Sequence, residues 1–242
     1  MKITITNGKG GTGKTTLNIF LALWLYQHGF TVLMIDLDPN CSLSEVMGKV
    51  LLDQNSKLLL TGREVKPYTV KENDKARLDI IPSDLDLDML SNITDMQLKI
   101  QIKKLGFENQ YDFILIDPPG TWNAQTRNAV FSSDSIAIVG KCSPLDFVAT
   151  SNYIQKLSDC CLDSDVTVIC NSYNAASDPD NILERYKENF ADFFLPYPVP
   201  KMNSLKRLMS NPDYHIRSDL EERLLPFVKA VTLGKCEAKT NE

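Results

Sequence analysis

Ten residues, NGKGGTGKTT at positions 7–16, set four glycines, two lysines and three threonines directly behind the β-branched run KITIT. Gly8, Gly13, Lys14 and Thr15 fit G-x-x-x-x-G-K-[ST], a spacing in which backbone N–H groups wrap phosphate oxygens at a helix N-terminus. Gly10 and Gly11 remove side chains where the backbone must approach an anion, and Thr12 and Thr16 complete the loop. Lys14 is expected to neutralise the β and γ phosphates of a nucleoside triphosphate, and the Thr15 hydroxyl to ligate Mg²⁺. Lys9 is a second cation inside the same loop, either solvated or directed at phosphate charge, its own or a neighbouring subunit's.

Magnesium beside a phosphate loop calls for further carboxylates. Asp117 ends the apolar run FILID, where a Walker B aspartate would meet the metal's hydration shell. Asp36 and Asp38 end a second apolar run in IDLDPN. A single aspartate at a strand end is as readily a turn former or helix cap, but three beside a phosphate loop point to a metal site.

The segment KGGTGKTT resembles the deviant Walker A box of the ParA/MinD family of ATPases, and the resemblance runs along nearly the whole chain. VLMIDLDPN is similar to the family's second box, LDIIPSDLDL to its L-x-x-I-P-S segment, YDFILIDPPG to its Walker B strand, and CSPLDFVATSNYIQKL to the stretch after the next strand. The resemblance implies ATP and Mg²⁺ as cofactors and an ATP-sandwiched homodimer in which Lys9 reaches the partner's phosphates. It implies further that Asp38 positions the attacking water, that Asp36 helps hold the Mg²⁺ shell, and that Asn171, ending VICN, reads adenine. Two departures concern loop geometry: Cys41 stands where glycine follows Asp-Pro-Gln, and Asp117 is followed by Pro-Pro-Gly where D-x-P-P is usual.

The loop begins at residue 8, so the similarity is to the short partition ATPases without an N-terminal helix-turn-helix. Their resemblance implies a cytoplasmic, nucleoid-associated ATPase that binds non-specific DNA as a dimer and hydrolyses ATP when a small centromere-binding adaptor stimulates it. Lys201, Lys206, Arg207 and Arg217 face only Asp213 between residues 201 and 217, and are the expected DNA surface. Alternatives on the same loop are a MinD-like membrane- or cargo-positioning ATPase, an iron–sulfur carrier, and a small-molecule ligase or kinase. Pro226 interrupts LEERLLPFVKAVTLGK and the chain ends in polar CEAKTNE, which makes a poor amphipathic anchor.

These residues need a scaffold, and the rest of the chain supplies one. The 242 residues are 43% hydrophobic and 24% charged, with a net charge of −5 that gives no overall pull toward polyanions. No apolar run reaches the roughly 18 residues of a membrane span. Six cysteines without C-x-x-C spacing and two histidines argue against zinc or iron–sulfur, and the adjacent Cys160 and Cys161 read as reduced thiols at a helix end. Strands are expected at 2–6, 31–36, 78–83, 111–117, 135–140, 166–171 and 193–199. Helices are expected from the glycine loop to Gly29 and near 42–52, 94–105, 145–158, 180–190, 203–210 and 218–230, with turns at 178–179 and 211–212. Residues 53–77 read as a surface excursion. Alternation of buried strands with helices predicts an α/β fold, a mostly parallel doubly wound sheet flanked by helices, in one P-loop domain spanning 1–242.

Overall fold

The computed structural model describes residues 1–50, 52–90, 92–160, 162–178, 180–211 and 215–236. Cys161, the prolines of both expected turns, Asp213 and the tail 237–242 lie outside them. Seven strands, β1 (Lys2–Thr6), β2 (Thr31–Asp36), β3 (Tyr68–Glu72), β4 (Arg77–Ile81), β5 (Phe113–Asp117), β6 (Ser135–Lys141) and β7 (Asp165–Asn171), form one sheet. Their order is β3-β4-β2-β5-β1-β6-β7, and every pairing is parallel except that of β3 with β4. The central strands are apolar on both parities because helices cover both faces.

Successive residues of the strands feed opposite layers. Ile3, Ile5, Met34 and Leu115 pack with α1 (Lys14–Gln27), which is joined on that face by α9 (Asn203–Leu208) and α10 (Ser218–Val231). On the other face Leu33, Ile35, Ile114 and Ile116 meet α3 (Ser56–Leu60), α4 (Gln97–Lys104), α5 (Phe107–Gln110) and α6 (Ala124–Ser132). Beside them Ile136, Ile138 and Val168 pack with α7 (Pro144–Ser158) and α8 (Ile182–Asn189). The short α2 (Ser42–Val46) follows β2 and stops before Gly48, whose φ of +65° ends the expected longer helix.

Several expectations need correction. The excursion 53–77 contains α3 and the antiparallel edge strand β3, whose polar sequence YTVKE hides it. The expected strand 193–199 is not one: Pro196 and Pro198 lack the N–H a ladder needs, and the segment meets β7 through an isolated bridge of Phe194 with Val168 and a hydrogen bond from the Val199 N–H to the Cys170 carbonyl. Helix α10 runs through Pro226 unbroken, because Leu220, Leu224, Phe227, Val228 and Val231 are buried in the core and hold it. Helix α6, capped by Asn123 accepting from the Thr126 N–H, was not expected. Finally, Cys142 and Cys170, 28 residues apart, are joined as a disulfide, a pairing that no local spacing reveals.

Candidate nucleotide and metal site

Parallel strands bring their carboxyl ends to one edge of the sheet, so Thr6, Asp36 and Asp117 finish side by side, with Asp36 in register with Asp117. The chain leaves β1 at Thr6 and turns through residues 7–13 before α1 begins at Lys14. Gly11 and Gly13 hold φ of +72° and +101°, left-handed conformations that other residues adopt only under strain. At Gly13 space is restricted as well: a Cβ there would lie 2.2 Å from Asn171 Nδ2. Gly8, Gly10 and Gly11 are exposed, leaving the mouth of the loop open, while Thr12 is buried and Thr16 half-buried.

Both lysines are held within the loop's surroundings. Lys14, buried, donates from Nζ to the Lys9 carbonyl at 3.1 Å. Burial lowers its pKa, and the Asp117 and Asp38 charges oppose that effect. Lys9 turns outward, its Nζ 2.9 Å from the buried carboxylate of Asp146 on α7. Ser143 caps α7, accepting from the Asp146 N–H, and its hydroxyl also bonds the Asp146 carboxylate.

The carboxylates are equally well held. Thr15 Oγ1 donates to Asp117 Oδ2 at 2.8 Å, and Asn18 Nδ2, one turn along α1, donates to Asp117 Oδ1 at 3.0 Å. Asp36, fully buried, accepts from the Ser44 hydroxyl at 2.6 Å and from the N–H groups of Ser44 and Asp38 at 2.9 and 3.0 Å. Burial pushes the pKa of both carboxyls up; the Asp117 charge adds to the effect on Asp36, whereas Asn18, Thr15 and Lys14 oppose it on Asp117. Asp38 is half-buried and accepts from the Asn40 N–H and side-chain amide, both at 2.9 Å. Two carboxylates and a hydroxyl, all hard oxygen donors at the foot of a phosphate loop, fit Mg²⁺, which takes one or two carboxylates and completes its shell with water and phosphate.

Asn171 lies beside the loop, Nδ2 donating to the Thr12 carbonyl at 2.7 Å and Oδ1 accepting the Ser172 N–H at 2.8 Å. Beyond β5, Gly120 approaches so closely that a Cβ would lie 3.1 Å from both the Gly10 nitrogen and Lys14 Nζ. Asn18, Ser44, Asp146 and Gly120 therefore belong to this site and were not singled out in the sequence. A polar Asn18 among buried Leu17, Ile19 and Phe20 was the available signal; the others show only in three dimensions.

The family of AAA domains matches residues 1–162, two thirds of the chain. An uncharacterised protein of Methanocaldococcus jannaschii, MJECL24, is 31% identical over 215 residues, 81% of this chain and 82% of that protein. The chromosome partitioning protein ParA of Caulobacter vibrioides is 30% identical over 148 residues, 58% of this chain and 55% of its own length. The chain belongs to the ParA/MinD family of P-loop ATPases. Its fold is shared with a Borrelia burgdorferi protein described as a plasmid partition protein and bound to AMPPNP, at a TM-score of 0.80 and 24% identity over 94% of this chain and 98% of that one. pNOB8 ParA bound to nonspecific DNA superposes with a TM-score of 0.71 at 18% identity, over 99% and 97% of the two chains.

The basic residues expected at DNA lie away from the loop. Lys206 and Arg207 are exposed on α9 and, with Ser210 and Asn211, line an open groove of about 410 Å³. Lys201 and Arg217 are exposed before α9 and at the start of α10 but do not line it. Leu205 and Leu208 bury the opposite side of α9 in the cluster that contains α1.

Proposed function

We propose that this chain is a Mg²⁺-dependent DNA-segregation ATPase: ATP joins two protomers, the dimer holds non-specific DNA at the nucleoid, and a small centromere-binding adaptor stimulates hydrolysis. The observation that carries the proposal is the second lysine of the phosphate loop. The Lys9 side chain, 38% exposed, ends at the protein surface on the carboxylate of Asp146, which a partner's phosphates could displace. Lys14 gives up the Lys9 carbonyl to bind its own β and γ phosphates, and Thr15 turns its hydroxyl from Asp117 toward the metal. Thr15, Asp36 and Asp117 are the residues that would hold Mg²⁺, which would supply charge neutralisation at the phosphates when bound. Asp38, half-buried at the edge of this pocket, accepts from and orients the attacking water. Asn171 exchanges the Thr12 carbonyl for the adenine edge.

DNA recognition is assigned to Lys206 and Arg207 with Lys201 and Arg217. Placing α9 on α1, the helix that starts at Lys14, gives nucleotide binding a packed route to this surface. Two patches on one dimer would gain from effective concentration on a single duplex. The membrane-positioning alternative is disfavoured because the apolar face of α10 is spent on the core. No helix among the described residues is long and apolar enough to cross a membrane.

Light scattering with ATP and with ADP tests the reading. Wild type is expected to double its mass with ATP only, Lys9→Ala to remain monomeric, and Asp38→Ala to dimerise without turning over. A Lys9→Ala protein that still dimerises on ATP would reduce Lys9 to a loop residue, and a wild type that stays monomeric with ATP would overturn the dimer.

A further inference from the structure

Cys170 sits one residue before a group that contacts the phosphate loop, and Cys142 one residue before a group that reaches the loop through Asp146. Cys142 follows β6 and precedes Ser143, the cap of α7 that fixes Asp146 and through it Lys9. Cys170, in β7, precedes Asn171, which donates to the Thr12 carbonyl. Strands β6 and β7 are neighbours with Gly140 in register with Cys170, so the two cysteines meet across adjacent strand ends at a Cα separation of 6.3 Å. That separation lies within the span a disulfide bridges without backbone movement. Cys142 is half-buried and Cys170 fully buried.

We infer that Cys142 and Cys170 form a reversible thiol–disulfide site that gates the phosphate loop: the bridged form holds the α7 cap and the end of β7 together in the empty arrangement, and the dithiol form lets them part for nucleotide. The inference rests on the nucleotide site proposed above. The bridge joins the two segments that carry Asp146 and Asn171, the same residues that must release Lys9 and Thr12 when nucleotide enters.

The oxidant is a low-molecular-weight disulfide. Cys142, the more accessible thiol, loses its proton to water and attacks one sulfur of that disulfide, forming a mixed disulfide and expelling one thiolate. Cys170, likewise deprotonated, attacks the Cys142 sulfur and expels the second thiolate, and both leaving groups take up the protons released. Two protein thiols are thereby oxidised to one disulfide while one small disulfide is reduced to two thiols. The second step is internal, so burial of Cys170 does not prevent it.

The experiment uses the full chain, either reduced with dithiothreitol or equilibrated with oxidised glutathione, and then freed of reagent. Peptide mapping reports whether Cys142 is linked to Cys170. Titration with a fluorescent ATP analogue is expected to show affinity weakened about tenfold in the bridged protein, because the binding-competent fraction falls by that factor, and dithiothreitol should restore it. Cys142→Ser should bind equally under both treatments; Cys170→Ala provides the same control from the buried side. Failure of the bridge to form, or a bridged protein with undiminished affinity, overturns the inference. If the reduced protein binds no ATP analogue, the nucleotide reading itself fails. Hydrogen exchange then decides the gate: slower exchange of amides 8–16 and 143–150 in the bridged form supports it, and equal rates overturn it.

Discussion

Lys9 Nζ stands 2.9 Å from Asp146 Oδ2, so the surface lysine of the phosphate loop is tied to its own protomer through a carboxylate that is itself buried. The pair holds Lys9 in place while the loop is empty. The proposed dimerisation through Lys9 would have to break this contact before the lysine could reach across, and the contact would therefore oppose the dimer.

Asp146→Asn keeps the α7 cap but removes the charge that retains Lys9. Because Lys9 is partly exposed, the pair is worth only about 1 kcal/mol after solvent screening. One such pair breaks in each protomer, so ATP-dependent dimers are expected at a protein concentration roughly thirtyfold lower than for wild type, which is about 2 kcal/mol expressed as a ratio. Light scattering over a dilution series measures it. A weaker dimer would show that Asp146 works in the assembled state and does not restrain the free one.

Lys14 is a group positioned for a ligand at a cost to the empty protein. Burial outweighs the attraction of Asp117 and Asp38 and lowers its pKa, so the charged form is less comfortable here than in water. Lys14→Met is expected to abolish binding of the ATP analogue while leaving the empty protein as stable as wild type or more so, by up to about 1 kcal/mol. Thermal unfolding without ligand, run beside the binding titration, checks both halves. A lysine of purely structural value would lose stability on the same substitution.

Asp36 and Asp117 give the empty protein a pH dependence of definite sign. Burial raises both carboxyls above the ordinary carboxylate value, so the folded protein retains protons that the unfolded chain has released. Their contribution to stability is fully present below the ordinary value of about 4 and is lost as pH rises into the neutral range. On the proposed reading, bound Mg²⁺ would take the place of the retained protons. The melting temperature of the empty protein is therefore expected to fall over that interval, and the gain on adding Mg-ATP to be larger at pH 8 than at pH 6. Asp36→Asn should flatten the profile; a profile unchanged by that substitution would assign the dependence elsewhere.

How far the sequence could be followed has physical causes. The run from β1 through the loop into α1 was legible because glycine spacing, strand composition and helical periodicity agree there, and the strand-end aspartates were legible because apolar runs point to them. The residues that hold these groups were not: Ser44 holds Asp36, Asn18 holds Asp117 and Asp146 holds Lys9, and of these only Ser44 is near its partner in sequence. The edge strand β3 escaped because one open side relaxes the demand for apolar residues, and 193–199 misled because Phe194, Leu195 and Val199 are buried while Pro196 and Pro198 interrupt the pairing with β7. Pro226 misled in the opposite direction, since five buried residues of α10 outweigh one missing hydrogen bond.

The DNA surface can be tested independently of the dimer. Lys206 and Arg207 project from α9 while Leu205 and Leu208 anchor it, so replacing both basic residues with alanine leaves the packed side untouched. With a net charge of −5, the protein has no general attraction for duplex, and the proposed binding would have to come from this local patch presented twice. Affinity for random-sequence duplex is expected to require ATP and to fall steeply with salt, log K changing with log salt by about −0.9 per phosphate neutralised. In the double variant each protomer loses two cations, so the slope should become shallower by up to about 3.6 for the dimer, while ATP-dependent dimerisation persists. A salt titration with ATP and with ADP reads both quantities. A slope unmoved by the double substitution removes α9 from the interface, and equal binding in ADP removes the requirement for a dimer.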